Sequence, residues 1–212
     1  MPAIKALEHR SYNFEVRAEK DEEHGSIIVG RPIVFDSKTD LGFFDEIIER
    51  GALDKTDLTD VRFLVNHDVS KIPLARSRKN NKNSTMQLSV DDDGMAIRVD
   101  LDTENNADAR SLYSAVERGD VTGMSFMFGI DDEEWSDLES DHPTRKIRSI
   151  STVVEVSAVT FPAYDTTSIN ARDTKSALDN ARSALENART NNTDETDKVE
   201  LEKLKIHYLM EA

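Results

Sequence analysis

Three residues that could form the machinery of a serine hydrolase stand far apart in this chain: His67, Ser125 and Glu155. Each lies in, or at the end of, an apolar run that is typical of a β-strand. Serine is a useful nucleophile at neutral pH only when a neighbouring imidazole takes its proton, and the imidazole works best when a third group fixes its orientation. A rigid sheet that brought these side chains together would therefore create a reactive serine.

The apolar runs around these residues predict how they are presented. The run Val61–Val65 predicts a strand that ends just before the histidine. Strict alternation over Met124–Ile130 places Ser125 on the face opposite the large apolar side chains. Over Thr152–Phe161 the same alternation separates Glu155 from the apolar face. We therefore expect all three to project from strands or strand ends.

Each candidate also has a simpler interpretation. The histidine could belong to an ordinary solvated turn, the serine could face water, and Glu155 could pair across strands with Arg145 or Arg148. Asp68 competes with Glu155 for the role of third member. Because neighbours in a strand or tight turn usually point apart, Asp68 is expected to face away from His67.

The remaining polar candidates are assigned ordinary roles. His9, His24, His142 and His207 all lie in polar surroundings and are expected to be solvated. The acidic run that ends at Gly94 looks superficially like a calcium loop, but it lacks the downstream Glu and is predicted to be a hairpin turn. The sequence indicates no metal site and no cofactor.

Composition restricts the class of protein. A net charge of −15, from 42 acidic and 27 basic residues, disfavours nucleic-acid binding. The chain has no cysteine, so disulfides and thiolate chemistry are excluded and a reducing cytosol is expected. Residues 1–10 lack the apolar core of a signal peptide, and no run is long enough to span a membrane.

The overall pattern predicts a mostly β (α+β) fold. About seven short strands are expected to form a closed or partly open β-barrel with surrounding helices. One helix is predicted over Asn105–Arg118, and the acidic segment Asp131–His142 is expected to be mobile. Further strands are predicted at Tyr12–Val16, Ser26–Phe35 (bulged or bent), Thr85–Val90, Met95–Leu101 and Lys146–Ile150.

The C-terminal part differs in composition from the rest. The segments 176–182 and 183–189 repeat a seven-residue pattern, which predicts an amphipathic or coiled-coil-like helix, and a second short helix is predicted over 198–210. We therefore predict a catalytic domain at 1–170 and a helical tail at 171–212.

Taken together, three stretches of the chain resemble the signature of the tailed-phage prohead (capsid maturation) protease family. They are Asn66-His67-Asp68, Gly123-Met124-Ser125-Phe126, and Glu155-Val156-Ser157 followed by Val159-Thr160-Phe161-Pro162-Ala163. The family is similar in fold to the herpesvirus maturational proteases. The resemblance implies that His67 is the general base and Ser125 the nucleophile. Glu155 matches the third member, where the herpesvirus relatives use a second histidine.

The resemblance also implies a biological role. Such a serine endopeptidase would cleave the scaffold protein or the scaffolding segment of the major capsid protein, and itself, inside assembling proheads in the host cytoplasm. The tail would recruit it to scaffold helices, and self-association is compatible with this role. Two alternatives remain: an inactive assembly protein that keeps the protease fold, and a small-molecule esterase, which the absence of a Gly-x-Ser-x-Gly elbow disfavours.

Overall fold

Two β-sheets contain most of the described chain, which comprises residues 7–12, 16–22, 25–160 and 179–192 of a computed structural model. In chain order the elements are β1 (Leu7–Tyr12), β2 (Val16–Asp21), β3 (Gly25–Val34), β4 (Thr39–Asp40), β5 (Asp45–Ile48), β6 (Asp60–Val65), β7 (Ala75–Arg78), β8 (Met86–Asp91), β9 (Gly94–Leu101), α1 (Ala107–Glu117), β10 (Gly123–Ser136), β11 (Thr144–Val159) and a helix, α2, over 179–192.

The larger sheet has seven strands and is organised around β11. Its main order is β1-β10-β11-β5-β4, and β6 joins β11 and β7. One side of β11 pairs antiparallel with β10, while the other side pairs in parallel with β5 over 144–147 and with β6 over 155–158. Consequently β10 and β6 lie on either side of β11, and the three candidate residues lie on these neighbouring strands or at a strand end.

The smaller sheet has four strands in the order β2-β3-β9-β8. Its β8–β9 hairpin turns at Asp91–Gly94, as the sequence predicted, and Gly94 has a φ of 140°. A side chain there would collide with the Ile33 carbonyl, so only glycine fits. Apolar side chains from both sheets and α1 form one buried cluster, which fixes the two sheets against each other.

Helix α1 has the boundaries that its sequence signals require. The Asn106 side chain accepts hydrogen bonds from the first-turn amides, including that of Ala109. The helix ends before Gly119, whose φ is 78°. Leu112, Tyr113 and Val116 are buried at helical spacing, which confirms the predicted amphipathic helix.

The mostly β prediction with helices is confirmed, but the barrel is not. Among the described residues the strands form two separate sheets, and neither closes. The chain passes between the two sheets four times, from β1 to β2, from β3 to β4, from β7 to β8 and from β9 to β10, and no ring of hydrogen bonds runs around all the described strands. Alternation of side chains shows that a segment is a strand, but it does not specify its partner.

Two predictions about the extent of strands were wrong. A third, the strand at 12–16, falls partly on residues 13–15, which lie outside the described residues; Tyr12 belongs to β1 and Val16 to β2. The acidic start of 131–142 continues β10 to Ser136, with several register shifts. The strands predicted on either side of Ser151 form the single strand β11. In both β10 and β11, pairing with the other long strand extends a strand that its own residues would interrupt.

The repeat in the C-terminal region is helical where it is described, in α2. Ala181 and Leu185 are buried, and Arg189 donates a hydrogen bond from Nε to the Leu138 carbonyl at 2.9 Å. The Arg182 guanidinium lies over the Phe43 ring, 4.9 Å from its centroid. The helix predicted over 198–210 and the domain boundary near 170 lie outside the described residues. None of the helices in the described part of the chain has the length and apolar composition needed to cross a membrane.

Candidate active site

The structure brings His67, Ser125 and Glu155 into one hydrogen-bonded row. The Nε2 atom of His67 lies 2.5 Å from Oγ of Ser125, and its Nδ1 atom is hydrogen-bonded to Oε1 of Glu155. Ser125 is on β10 and Glu155 on β11, and β11 lies between β10 and β6. The imidazole is therefore held between a hydroxyl and a carboxylate.

The turn after β6 aims the histidine back at the sheet. Asn66 and His67 have φ values of 51° and 57°, in the left-handed region that is uncommon for residues other than glycine. The Asn66 amide N–H donates to the Ala158 carbonyl at 3.0 Å, and its side-chain oxygen accepts from the Thr160 N–H at 3.0 Å. Hydrogen bonds to β11 and the residue after it thus hold an unusual backbone conformation at the candidate site.

Ser157 connects the two halves of this arrangement. It is fully buried, and its hydroxyl donates to Oε2 of Glu155 at 2.7 Å. The Oγ atom of Ser157 also accepts a hydrogen bond from the backbone N–H of His67 at 3.1 Å. One buried hydroxyl therefore fixes both the carboxylate and the turn that carries the imidazole.

Strand β1 contacts the serine from the other side. The Ser125 hydroxyl lies 2.7 Å from the carbonyl oxygen of Arg10, to which it can donate. Its proton thus has two possible acceptors, this carbonyl and Nε2 of His67. Ser125 has no exposed surface, so a substrate can reach it only after some of its neighbours move.

His9, also on β1, packs against the histidine of the row. The two imidazole rings meet edge to face, with centroids 4.5 Å apart and an interplanar angle of 89°. His9 is half-buried, so the expectation that it is solvated was wrong. The reason is its strand: β1 pairs with β10 with His9 opposite Met127, which brings His9 beside the site.

Asp68 lies apart from this row, as expected. It is exposed, and its Oδ1 atom accepts hydrogen bonds from the backbone N–H and the hydroxyl of Ser70. These bonds hold the pKa of Asp68 below its ordinary value. The aspartate therefore belongs to the turn that follows the histidine.

The turn that precedes β10 is a poor source of donors for a reacting oxyanion. The amide N–H groups of Gly119, Asp120 and Val121 all donate to the carbonyls of Val116 or Ala115 at the end of α1. The 119–123 turn directly precedes the strand that carries Ser125 and is therefore a natural place to look for an oxyanion hole. Three of its amides are occupied by the helix terminus, which disfavours that candidate.

A buried ion-pair network lies beside the candidate site. It joins β1, β5, β10 and β11 and consists of Glu8, Arg10, Glu46, Glu133 and Arg145. Arg145 donates to Glu8 at 2.9 Å and to Glu46 at 3.2 Å. Arg10 belongs to both regions, because its side chain enters the network while its carbonyl contacts Ser125.

Charge pairing dominates the electrostatics of the network. Burial alone would raise the pKa of Glu8, but Arg10 and Arg145 outweigh it and hold that pKa below the ordinary value. For Arg145, burial would lower the pKa, but Glu8 and Glu46 raise it. Glu8 and Arg145 are therefore both charged at neutral pH.

Two groups of side chains in the described residues have the spacing of metal ligands. One consists of His9, His67 and Glu155, and the other of Asp40, Asp45 and His142, with the candidate ligand atoms of each group within 4.8 Å of one another. His142 was expected to be solvated, but its Nε2 atom lies 3.1 Å from Oδ1 of Asp45. His24 and His207 lie outside the described residues.

Sequence reasoning passed over three participants: His9, the Arg10 carbonyl and Ser157. The first two depend on the pairing of β1 with β10, for which the sequence contains no signal. A signal for Ser157 did exist, because it shares a strand face with Glu155 two residues away. A serine beside a functional carboxylate on the same face is a natural hydrogen-bond donor to it.

Comparison with known proteins is consistent with a protease. The family model described as caudovirus prohead serine protease matches residues 12–181. Among solved structures, the capsid assembly protease of bacteriophage T4 is similar, with a TM-score of 0.36 and 12% identity, covering 72% of this chain and 98% of that one. No curated protein shows a significant match.

Proposed function

This chain belongs to the caudovirus prohead serine protease family, and from that premise we propose that it is a serine endopeptidase of capsid maturation. The observation that supports this assignment best is the position of the His67 ring, between the Ser125 hydroxyl and the Glu155 carboxylate. A nucleophile, a base and an orienting carboxylate in hydrogen-bonded sequence are what peptide hydrolysis by serine requires.

In the proposed mechanism, Nε2 of His67 takes the proton of Ser125 as Oγ attacks a peptide carbonyl carbon. The imidazolium then gives that proton to the departing amine, and a water molecule repeats the cycle to release the acyl group. Glu155 keeps the Nδ1–H tautomer in place and stabilises the imidazolium.

The Arg10 carbonyl and Ser157 have positioning roles in this proposal. When the Ser125 hydroxyl donates to the Arg10 carbonyl, 2.7 Å away, its proton is directed away from the base. Rotation of the hydroxyl towards His67 prepares the attack. Ser157 acts through Glu155 and the backbone of His67, so it belongs to the support of the site and does not touch the reacting atoms.

The proposed substrates are the scaffold protein or the scaffolding segment of the major capsid protein, together with the protease's own terminal region. Cleavage would take place inside assembling proheads in the host cytoplasm. The family membership supports this class of substrate.

The tail over 171–212 is proposed to recruit the protease to the assembling shell. In α2 the apolar positions Ala181 and Leu185 are already buried, so the exposed positions, which are largely polar, are the ones left for contact with a scaffold helix. A chain that ends near residue 173 should then cleave a precursor peptide but enter proheads poorly. Normal packaging of this truncated chain would remove the recruitment role.

One observation favours a second candidate function, that of an inactive assembly protein that keeps the protease fold. Ser125 has no exposed surface, as would be expected of a residue that never meets a substrate. A fluorophosphonate probe separates the two possibilities, because it labels only a serine that is both activated and reachable.

The proposal is tested by incubating the purified protein with its capsid precursor or scaffold protein and analysing the products by mass spectrometry. New termini should form with the native protein and not with Ser125→Ala. Equal cleavage by both proteins would rule out Ser125 as the nucleophile, and labelling without cleavage would point to a different substrate.

A further inference from the structure

The pairing of His9 with His67 creates a chemical environment that hydrolysis itself does not need. Two imidazoles and one carboxylate, from His9, His67 and Glu155, place their candidate ligand atoms within 4.8 Å of one another. Glu155 is buried and the two histidines are half-buried. A proteolytic row requires only one of these imidazoles, so the second one calls for an explanation.

This set of side chains matches the ligands that zinc prefers. Zn²⁺ is bound by His nitrogen and by Asp or Glu oxygen, and sites with three protein ligands keep a fourth position for water. Ligands bound tetrahedrally at about 2.0–2.1 Å lie about 3.3 Å from each other. A pair at the upper limit of separation therefore needs to approach by about 1.5 Å, which side-chain rotation can supply.

We propose that His9, His67 and Glu155 form a binding site for Zn²⁺ or a similar divalent transition metal, and that its occupation reversibly inactivates Ser125. Metal binding follows from these side chains alone. Inactivation rests on the proposed serine-protease function.

Either mode of coordination would disable the base. If the metal bound Nε2 of His67, that nitrogen could no longer accept the proton of Ser125. If it bound Nδ1, the neutral imidazole would carry its remaining proton on Nε2, which could then only donate. In both modes the Glu155 carboxylate would bind the metal. Ser125 would then lose its base, and His67 would lose the carboxylate that orients it.

The second group of candidate ligands provides an internal control. In the group of Asp40, Asp45 and His142, the Asp45 carboxylate is already paired with the ammonium group of Lys38. That local positive charge opposes cation binding, and Asp40 is exposed. We therefore expect weaker binding there, and His142→Gln is a matched substitution of a histidine outside the proposed site.

The binding experiment uses the full-length Ser125→Ala protein, so that it does not depend on activity. Isothermal titration with Zn²⁺ should give one tight site per chain, and Co²⁺ should give the visible absorption bands of a tetrahedral complex. We expect His9→Gln and Glu155→Gln each to weaken binding about 10- to 100-fold, and His142→Gln to leave the tight site unchanged. Circular dichroism confirms that each variant is folded.

Two results would overturn the proposal. One is the absence of tight Zn²⁺ binding to the folded Ser125→Ala protein. The other is binding that His9→Gln leaves unchanged, which would place the metal elsewhere. Loss of binding in His142→Gln would instead assign it to the Asp40 group.

The inhibition experiment uses the active protein and its precursor substrate. Zn²⁺ should stop cleavage and a chelator should restore it, and His9→Gln should require at least about tenfold more Zn²⁺ for half-inhibition, relative to its own rate without metal. Equal sensitivity of the native and His9→Gln proteins would refute the inhibitory role. If the native protein cleaves nothing, the protease assignment fails while the titration still decides the metal site.

Discussion

Two buried polar clusters lie side by side in the larger sheet, yet they are built on different principles. The ion-pair network contains three glutamates and two arginines, while the candidate active site contains one carboxylate, one imidazole and two hydroxyls. Burial does not distinguish them, since Arg145 is 2% exposed and Glu155 3%. The difference lies in whether a proton can move.

In the network every proton is fixed. Guanidinium groups stay protonated in proteins, and Arg10 and Arg145 hold the pKa of Glu8 below its ordinary value, so these groups hold strands together without exchanging a proton. In the candidate active site the Ser125 proton has two acceptors, and His67 can both gain and lose a proton. The two buried clusters therefore differ in whether a donor group can pass its proton to a neighbouring acceptor.

The strongest way to break the active-site cluster is to remove its nucleophile or base. Ser125→Ala and His67→Ala should each lower the rate of precursor cleavage by about 10³ to 10⁶, with little further loss in the double mutant, because the two act as a unit. Cleavage kinetics measure this, and thermal unfolding checks that the fold persists. Additive losses in the double mutant would contradict it.

Replacing the carboxylate by an amide should cost less. Glu155→Gln keeps the size of the side chain but no longer stabilises the imidazolium or enforces the correct tautomer, so kcat should fall by a large factor that is smaller than the loss in Ser125→Ala or His67→Ala measured in parallel. Asp68→Asn is the matched control, since Asp68 bonds only to its own turn, and it should be nearly silent. A severe loss in Asp68→Asn with a normal Glu155→Gln would reverse the assignment.

Removing a cation from the network should affect stability. Arg145→Met removes one of the two arginines that face Glu8 and Glu46 and the arginine paired with Glu133, and it should lower the free energy of unfolding by roughly 3–5 kcal/mol. Arg31→Met is the control: it removes a half-buried arginine that bonds the exposed Asp91 through both terminal nitrogens, and the loss of unfolding free energy should be much smaller. Equal effects in urea unfolding would mean that burial does not set the strength of these pairs.

Replacing Ser157 should lower kcat, but by less than replacing any of the three residues His67, Ser125 and Glu155. Ser157→Ala removes a hydrogen bond to a charged group, worth about 1.5–3 kcal/mol, so kcat should fall about 10- to 100-fold with KM unchanged. Ser157→Cys keeps the volume and a weak donor and should be intermediate. If both variants lose stability without this graded loss of kcat, Ser157 has only a packing role.

The smallest effect is the pH dependence of the network. The pKa of Glu8 is lower in the folded protein than its ordinary value, so its stabilising contribution is complete above that ordinary value, about 4.3. It is lost as the pH falls through the lowered pKa. Urea unfolding measures the free energy of unfolding, which should decline less between about pH 6 and about pH 3 in Glu8→Gln than in the native protein. Equal declines in the two proteins would contradict the lowered pKa of Glu8.

Alternation in the sequence was sufficient to predict the faces on which Ser125 and Glu155 lie, whereas the choice of these two residues and His67 as a catalytic set rested on the family resemblance and stays a prediction. Alternation along β10 and β11 places Ser125 and Glu155 on a common side, and the strand end places His67 nearby. These properties depend on local periodicity, which the chain itself carries.

What could not be predicted depends on pairing between distant segments. The edge strand β1 carries His9 and Arg10 to β10, more than a hundred residues later, and the two open sheets arise from partner choices that alternation does not encode. The left-handed backbone of His67 likewise needs β11 to hold it. Buried salt bridges were missed for the same reason, because charged residues in strands look exposed until their partners are known.

The central position of β11 has a consequence for the timing of activity. His67 and Glu155 are 88 residues apart, and β5 and β6 lack their shared parallel neighbour until β11 exists. At about 5–20 residues per second, a ribosome needs roughly 4 to 18 s to add the segment between them. A growing chain therefore contains Ser125 and His67 before it contains their candidate partner Glu155, and the hydrogen-bonded row cannot form until β11 has been synthesised.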